Sequence, residues 1–252
     1  MPAGIRIKGR VALVTGANRG IGRGLVEELL ARGASKVYAA ARKPEAVAEL
    51  AAAGGGRVVP LRLDITNAAD VKKAAVQATD VDLLINNAGV LSHGFGEFED
   101  PAWLDAAPRE FETNVLGTLR VSQAFAPVLA RNGGGTLVNV SSVAGVVGMP
   151  PVLTYSTSKA ALHSLTQSTR QMLRPQGTFV VGVYPGPVDT DMAAQLTLPK
   201  VTAASVAEAI LDGLEQGLEE IYPDPFARDI GEVYTVNPKG LEERMAAAST
   251  AD

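Results

Sequence analysis

Tyr155 and Lys159 stand four residues apart in the run LTYSTSKAALHSLTQSTRQML, a spacing that puts both side chains on one face of a helix with Cβ atoms roughly 5–6 Å apart. A free phenol titrates near ~10, too high to give or take a proton readily at neutral pH. An ammonium beside it favours the phenolate and lowers that value, and a lowering of about 2 units takes roughly 3 kcal/mol of differential interaction. The pair is therefore a candidate general acid–base. Tyr-x-x-x-Lys taken alone is also what an ordinary helix surface carries, so its meaning depends on the rest of the chain.

The run itself reads as a helix, with apolar Leu162, Leu165, Met172 and Leu173 and no proline before Pro175. Around it, strands at 11–15, 37–41, 58–63, 81–85, 136–141, 179–184 and near 221–222 alternate with helices at 23–32, 44–53, 68–78, 109–130 and 205–217. A loop holding Pro101 and Pro108 is expected ahead of the 109–130 helix. The strands are continuous apolar runs, which predicts an α/β fold with a mostly parallel, doubly wound sheet covered on both faces.

The 252 residues fit one domain, 1–252, combining cofactor binding and catalysis, with 223–252 as a divergent tail. A hydrophobic content of 46% with 20% charged residues is that of a soluble globular chain, and cytoplasmic residence is the default. The net charge of −4, with no basic block, argues against nucleic acid and anionic membranes as partners. Without cysteine there are no disulfides or thiolate ligands, and no His/Asp/Glu cluster has metal-ligand spacing.

The strand ending at Thr15 runs into Gly16-x-x-x-Gly20-x-Gly22 and then a helix. Glycines there allow a tight turn and close backbone approach, and the helix start offers N–H groups and positive potential to a pyrophosphate. The strand at 37–41 leads into Arg42-Lys43, where an NAD site usually carries an acid for the ribose hydroxyls. Arg42 and Arg19 would instead suit a 2′-phosphate, which predicts NADP(H).

The motifs TGANRGIG (15–22), LDIT (63–66), NNAG (86–89), TNVLG (113–117), NVSS (139–142), YSTSK (155–159) and YPGPVDT (184–190) together resemble the short-chain dehydrogenase/reductase family over about residues 8–222. The resemblance implies a Rossmann fold and NADP(H)-dependent carbonyl reduction or alcohol oxidation. It makes Tyr155 the general acid in reduction and has Ser142 steady the substrate oxygen. Lys159 would hold the nicotinamide ribose and lower the Tyr155 pKa, and Asn114 would anchor a water in the proton relay. It also implies cofactor contacts at Gly16, Asn18, Arg19, Gly20, Ile21 and Gly22 in the glycine turn, and at Asp64 and Ile65 around the adenine. Asn87, Ala88 and Gly89 would flank the cofactor, with Pro185, Gly186, Val188 and Thr190 near the carboxamide. A homodimer through the helices near 109–130 and 154–173 is expected, with a tetramer open.

Two departures from the family pattern stand out. Only Asp191–Val201 separates Thr190 from the next helix, so a short lid and an open pocket are expected, and the tail lacks the ending common in tetrameric relatives. Val90–His93, Val143–Val152, Tyr184 and Pro185 would line the pocket, mostly apolar, which favours an apolar or aromatic ketone or aldehyde. His93, His163 and Trp103 read more simply as surface or packing residues. The alternatives are reduction of carrier-bound acyl groups, which would want a basic docking surface, and a non-catalytic NADP-binding redox sensor, which could dispense with Tyr155 and Lys159.

Overall fold

The computed structural model describes residues 4–249. The ends of the 1–252 assignment, residues 1–3 and 250–252, lie outside the described residues. Seven parallel strands form one sheet: β1 (Val11–Thr15), β2 (Lys36–Ala41), β3 (Val58–Arg62), β4 (Leu83–Asn86), β5 (Thr136–Val140), β6 (Phe179–Val183) and β7 (Glu220–Ile221), in the order β3-β2-β1-β4-β5-β6-β7. The chain runs outward from β1 to β3, then returns to lay β4 on the other side of β1. In a doubly wound sheet such a reversal marks the place, at the carboxyl ends of the strands, where a ligand crevice lies.

Helices cover both faces. On one side α1 (Gly20–Ala31), α2 (Ala48–Ala53) and α7 (Ala203–Glu215) bury Leu25, Leu29, Ile210 and Leu214 against Val14, Ile85 and Val181. On the other, α3 (Ala68–Gln77) and α5 (Thr118–Arg131) bury Val71, Phe125 and Leu129 against Leu13, Leu84 and Leu137. Adjacent strand residues thus serve opposite cores, as a pleat of period two requires. Within the second layer, α6 (Leu153–Leu173) carries the Tyr155–Lys159 pair.

Two features differ from the sequence reading, and the tail, to which it assigned no elements, is helical. The expected loop ahead of residue 109 is mostly α4 (Ala102–Phe111), which contains Pro108 and passes through a π-helical stretch, Glu112–Gly117, into α5. Pro108 removes a ladder bond, but Leu104, four residues back, is largely exposed, so water can take up the freed carbonyl. The tail forms two helices, α8 (Pro225–Val236) and α9 (Pro238–Ser249). Finally, Tyr184 is fully buried and lines no cleft. It packs with Val143, Val147, Ile230 and Leu241, its hydroxyl 2.7 Å from His163 Nδ1 and its ring stacked 5.2 Å from Tyr222. No described helix is long and apolar enough to cross a membrane.

Candidate active site

Buried polar ties hold the carboxyl ends of β4 and β5 to α6. Asn86 Nδ2 donates to Asn139 Oδ1 at 2.9 Å, and Asn139 Nδ2 donates to Thr166 Oγ1 at 3.0 Å. Ser141 Oγ donates to Lys159 O at 3.2 Å, and Ser156 Oγ to Ala144 O at 2.6 Å. These bonds fix α6 so that Tyr155 and Lys159 face the segment after β5. There Ser142, extended at φ −172°, opens a short turn, and its Oγ accepts from Ala144 N at 3.2 Å.

Lys159 is 4% exposed and donates to Val140 O at 3.0 Å, with Nζ 5.6 Å from the centre of the Tyr155 ring. Burial pushes its ammonium down to about 8. The expected lowering of the Tyr155 phenol is not found. Burial raises it to about 12, and a hydrogen bond with Ser142 pulls against that while the Glu110 carboxylate adds to it. The lysine charge is spent on a carbonyl rather than set against the phenol oxygen.

Asn114 lies in the π-helical stretch, a device that recurs at functional sites because it turns a side chain off the regular helical path. The residue is fully buried. Its Oδ1 accepts from Val90 N at 2.8 Å, and its Nδ2 donates to Val90 O and to Ser158 Oγ, both at 2.9 Å. Both amide hydrogens are used, leaving one Oδ1 lone pair for a water.

The glycine turn lies at the crevice. Gly16 and Gly20 take φ of +65° and +52°, and a Cβ on Gly22 would sit 2.2 Å from Gly16 O. Thr15 Oγ1 accepts from the N–H groups of Asn87 and Ala88 at 2.9 and 3.0 Å, and Asn87 Nδ2 returns a bond to Thr15 O. This lock joins the two motifs, and Gly89 follows against Asn114 and Lys159. α1 begins without a side-chain cap or an acid in its first turn, so its amide donors and positive end are open to an anion. Those are the features a dinucleotide pyrophosphate requires, with Asn18 and Ile21 in the same turn.

At the far end of the crevice Arg42 is exposed beyond β2. Burial works to raise the nearby Asp64 carboxyl, but hydrogen bonds from Thr66 Oγ1 and Thr66 N, with smaller help from the charges of Arg42 and Arg62, hold it below the usual carboxylate range. Ile65 is buried close by. Arg19 is engaged elsewhere: its Nη1 donates to Asp191 Oδ2 at 2.8 Å across the crevice. Asp191 opens the short lid, which closes on an isolated bridge between Val188 and Val201. Pro185 is buried, and its carbonyl accepts from Val143 N at 3.1 Å. Gly186 N donates to Asp224 Oδ2 at 2.8 Å, and the Thr190 methyl covers Gly20.

The expected wall Val143–Val152 is tied to the chain just beyond Val90–His93, since Phe95 N donates to Pro151 O at 2.6 Å with Phe95 in the left-handed region at φ +63°. His93 sits 3.1 Å from Asp100 and edge-on to Trp103, whose Nε1 donates to Glu97 O, so both pack as expected. Thr15, Glu110, Ser158 and Asp224 support the site and were not singled out from the sequence. Only Asp224 had a legible signal, an aspartate followed by proline at a helix start. Among the described residues no His, Cys, Asp or Glu group could hold a metal.

A family model described as short chain dehydrogenase matches residues 10–200. A short-chain dehydrogenase of Burkholderia cenocepacia, solved in complex with NADP, is 41% identical, with a TM-score of 0.85 over 96% of this chain and 99% of that one. An NADPH-bound carbonyl reductase from chicken fatty liver is 30% identical, with a TM-score of 0.76 over 85% of this chain and 90% of that one. The 3-oxoacyl-acyl-carrier-protein reductase of Escherichia coli is 31% identical over 200 residues, 77% of this chain and 79% of the relative.

Proposed function

The chain belongs to the short-chain dehydrogenase family, and from that we propose that it is an NADP(H)-dependent oxidoreductase interconverting a ketone or aldehyde and its alcohol. The observation that carries this reading is the meeting of Tyr155, Ser142 and Lys159 beside an open, glycine-lined helix start. The absence of an acid after β2, the exposed Arg42 and the NADP-bound Burkholderia relative support NADP(H) over NAD(H).

A bound NADPH would supply the hydride. Reduction leaves negative charge on the substrate oxygen, which needs one proton and one further hydrogen bond. Tyr155 gives the proton. Burial makes the phenol a weaker acid than a free tyrosine, so the step runs downhill only because the alkoxide developing on the substrate is a stronger base than the phenolate left behind. Ser142 supplies the hydrogen bond, and Lys159 is placed to hold a ribose hydroxyl. Asn114 fixes Val90 at the substrate side and keeps one acceptor for a relay water.

Val90, Leu91 and Val146 are apolar and only partly buried beside the site, which favours an apolar or aromatic carbonyl. The Escherichia coli relative favours a second reading, reduction of carrier-bound acyl groups. Exposed Leu104, Phe111, Leu116 and Met172 on α4 to α6 support a homodimer through those helices.

The test follows NADPH and NADH oxidation with aryl ketones, aldehydes, diketones and acyl thioesters, with Tyr155→Phe alongside. Turnover should prefer NADPH, and Tyr155→Phe should lose about two orders of magnitude or more while still binding cofactor. Undiminished turnover in that variant would remove Tyr155 from the chemistry, and thioester preference would select the second reading.

A further inference from the structure

Arg19, at the start of α1, and Asp191, at the start of the lid, meet across the crevice, with Nη1 donating to Oδ2 at 2.8 Å. A second contact lies beside the first, since a Cβ on Gly20 would stand 3.0 Å from the Thr190 methyl. The glycine turn and the lid thus touch through two successive residues on each side. The ion pair keeps 67% and 76% of its two side chains exposed, so an anion entering the crevice can reach the guanidinium. No acid stands in the first turn of α1, and Arg42-Lys43 follow β2. The cation that the glycine turn offers to a phosphate is therefore held by a carboxylate of the lid.

We propose that Asp191 is a specificity-determining residue of this site, competing with a cofactor 2′-phosphate for Arg19, so that the lid start is clasped in the free chain and released by NADP(H) but not by NAD(H). The proposal rests on the reading of the crevice as an NADP(H) site. Sharing the guanidinium would set two anions, the phosphate and the carboxylate, within a few ångströms of each other, and their repulsion favours release of Asp191. The phosphate prevails because it carries more charge and more acceptor oxygens than a carboxylate. A ribose hydroxyl in the same place carries no charge and leaves the pair closed. Because coupling is reciprocal, Asp191 weakens phosphate binding by the same factor as phosphate weakens the lid contact. The released stretch is 191–200, since the Val188–Val201 bridge involves neither member of the pair.

The test is isothermal titration of the full chain with NADP+, NAD+ and adenosine 2′,5′-bisphosphate, alongside Asp191→Asn, Arg19→Met and the double variant. Asp191→Asn should tighten NADP+ and the bisphosphate by about 2- to 5-fold, the range of an exposed ion pair, and leave NAD+ unchanged. Arg19→Met should weaken NADP+ by about 10-fold or more, and adding Asp191→Asn to it should change nothing further. Amide exchange over 191–200 in the unaltered chain should quicken by about 2- to 5-fold with the bisphosphate and not with AMP. An unmoved NADP+ affinity in Asp191→Asn overturns the proposal. So does equal tightening of NADP+ and NAD+, since Arg19 would then be reading the pyrophosphate that both share. An unaltered chain that binds NAD+ as tightly as NADP+ would instead overturn the NADP(H) reading, and that failure shows before any variant is made.

Discussion

Asp224 joins the tail to the cleft, and removing it tests that joint. The side chain is 3% exposed, and its two oxygens accept from different elements: Oδ2 from Gly186 N and Oδ1 from Ala227 N in the first turn of α8, each at 2.8 Å. In Asp224→Ala both donors lose a charged acceptor. Loss of a helix cap costs about 0.5–2 kcal/mol, and a buried N–H left unpaired costs about 1–3 kcal/mol. Together the loss should be about 2–5 kcal/mol. At ~2–4 °C per kcal/mol for a chain of this size, Tm should fall by about 5–15 °C. Asp224→Asn keeps one acceptor oxygen and should lose about half as much. The assay is thermal or urea unfolding of the cofactor-free protein, followed by the KM for NADPH, which should rise because Gly186 belongs to the loop at the crevice. A loss below ~1 kcal/mol in Asp224→Ala would refute the reasoning, since water would then be replacing the carboxylate at no cost.

Arg42→Ala should raise the KM for NADPH by about 10- to 100-fold, the worth of a charge-assisted bond to phosphate, and leave NADH nearly unchanged. Equal losses with both cofactors would mean that the 2′-phosphate is held elsewhere. Lys159 carries a pH prediction: its ammonium titrates at about 8 when folded, well below its ordinary value. Between about pH 8 and 10 the unfolded chain therefore holds a proton that the native chain has released, so this group's contribution makes stability rise with pH, at up to ~1.4 kcal/mol per unit. Lys159→Met should remove that increment from urea unfolding curves. Parallel slopes for the two proteins would contradict it. The comparison stops at pH 10, above which the raised Tyr155 phenol acts in the opposite sense.

The central strands β1, β4, β5 and β6 were legible because each is buried on both sides and reads as a largely apolar run, and the glycine turn because φ of +65° and +52° at Gly16 and Gly20 suits few other residues. Helical spacing put Tyr155 and Lys159 on one face, and the other motifs gave the pair its meaning. What the spacing does not contain is where the lysine points. Its Nζ donates to Val140 O, nineteen residues away in sequence, and burial of the Tyr155 phenol, which spacing also does not contain, reverses the expected direction of its shift. Pro108 hid α4, because an interior proline removes a ladder bond and reads as a helix break. Glu110 was hidden for a related reason. A glutamate on an amphipathic helix reads as solvated, and only the loop at residues 90–93 folding over α4 makes it a buried charge. Tyr184 follows β6 at the head of a motif that borders the crevice, yet its side chain lies among residues of α8 and α9, elements 40 or more positions further on.

The contacts around the 185–190 loop differ in kind on its two sides. Toward the tail, Gly186 is held by a buried carboxylate and hemmed by Phe226, and a Cβ there would stand 2.7 Å from Asp224 Oδ1. Toward the lid, Asp191 is held by Arg19 through a pair exposed on both members. Such a pair contributes about 0–1 kcal/mol, whereas the buried contact contributes several times that. A phosphate offered to Arg19 carries more charge than Asp191 and accepts more hydrogen bonds, so it has little to overcome in taking the guanidinium. Freed from Arg19, the start of the lid remains anchored by the Val188–Val201 bridge, where Asp189 N donates to Val201 O at 2.8 Å. The tail thus holds Gly186 independently of the Arg19–Asp191 pair.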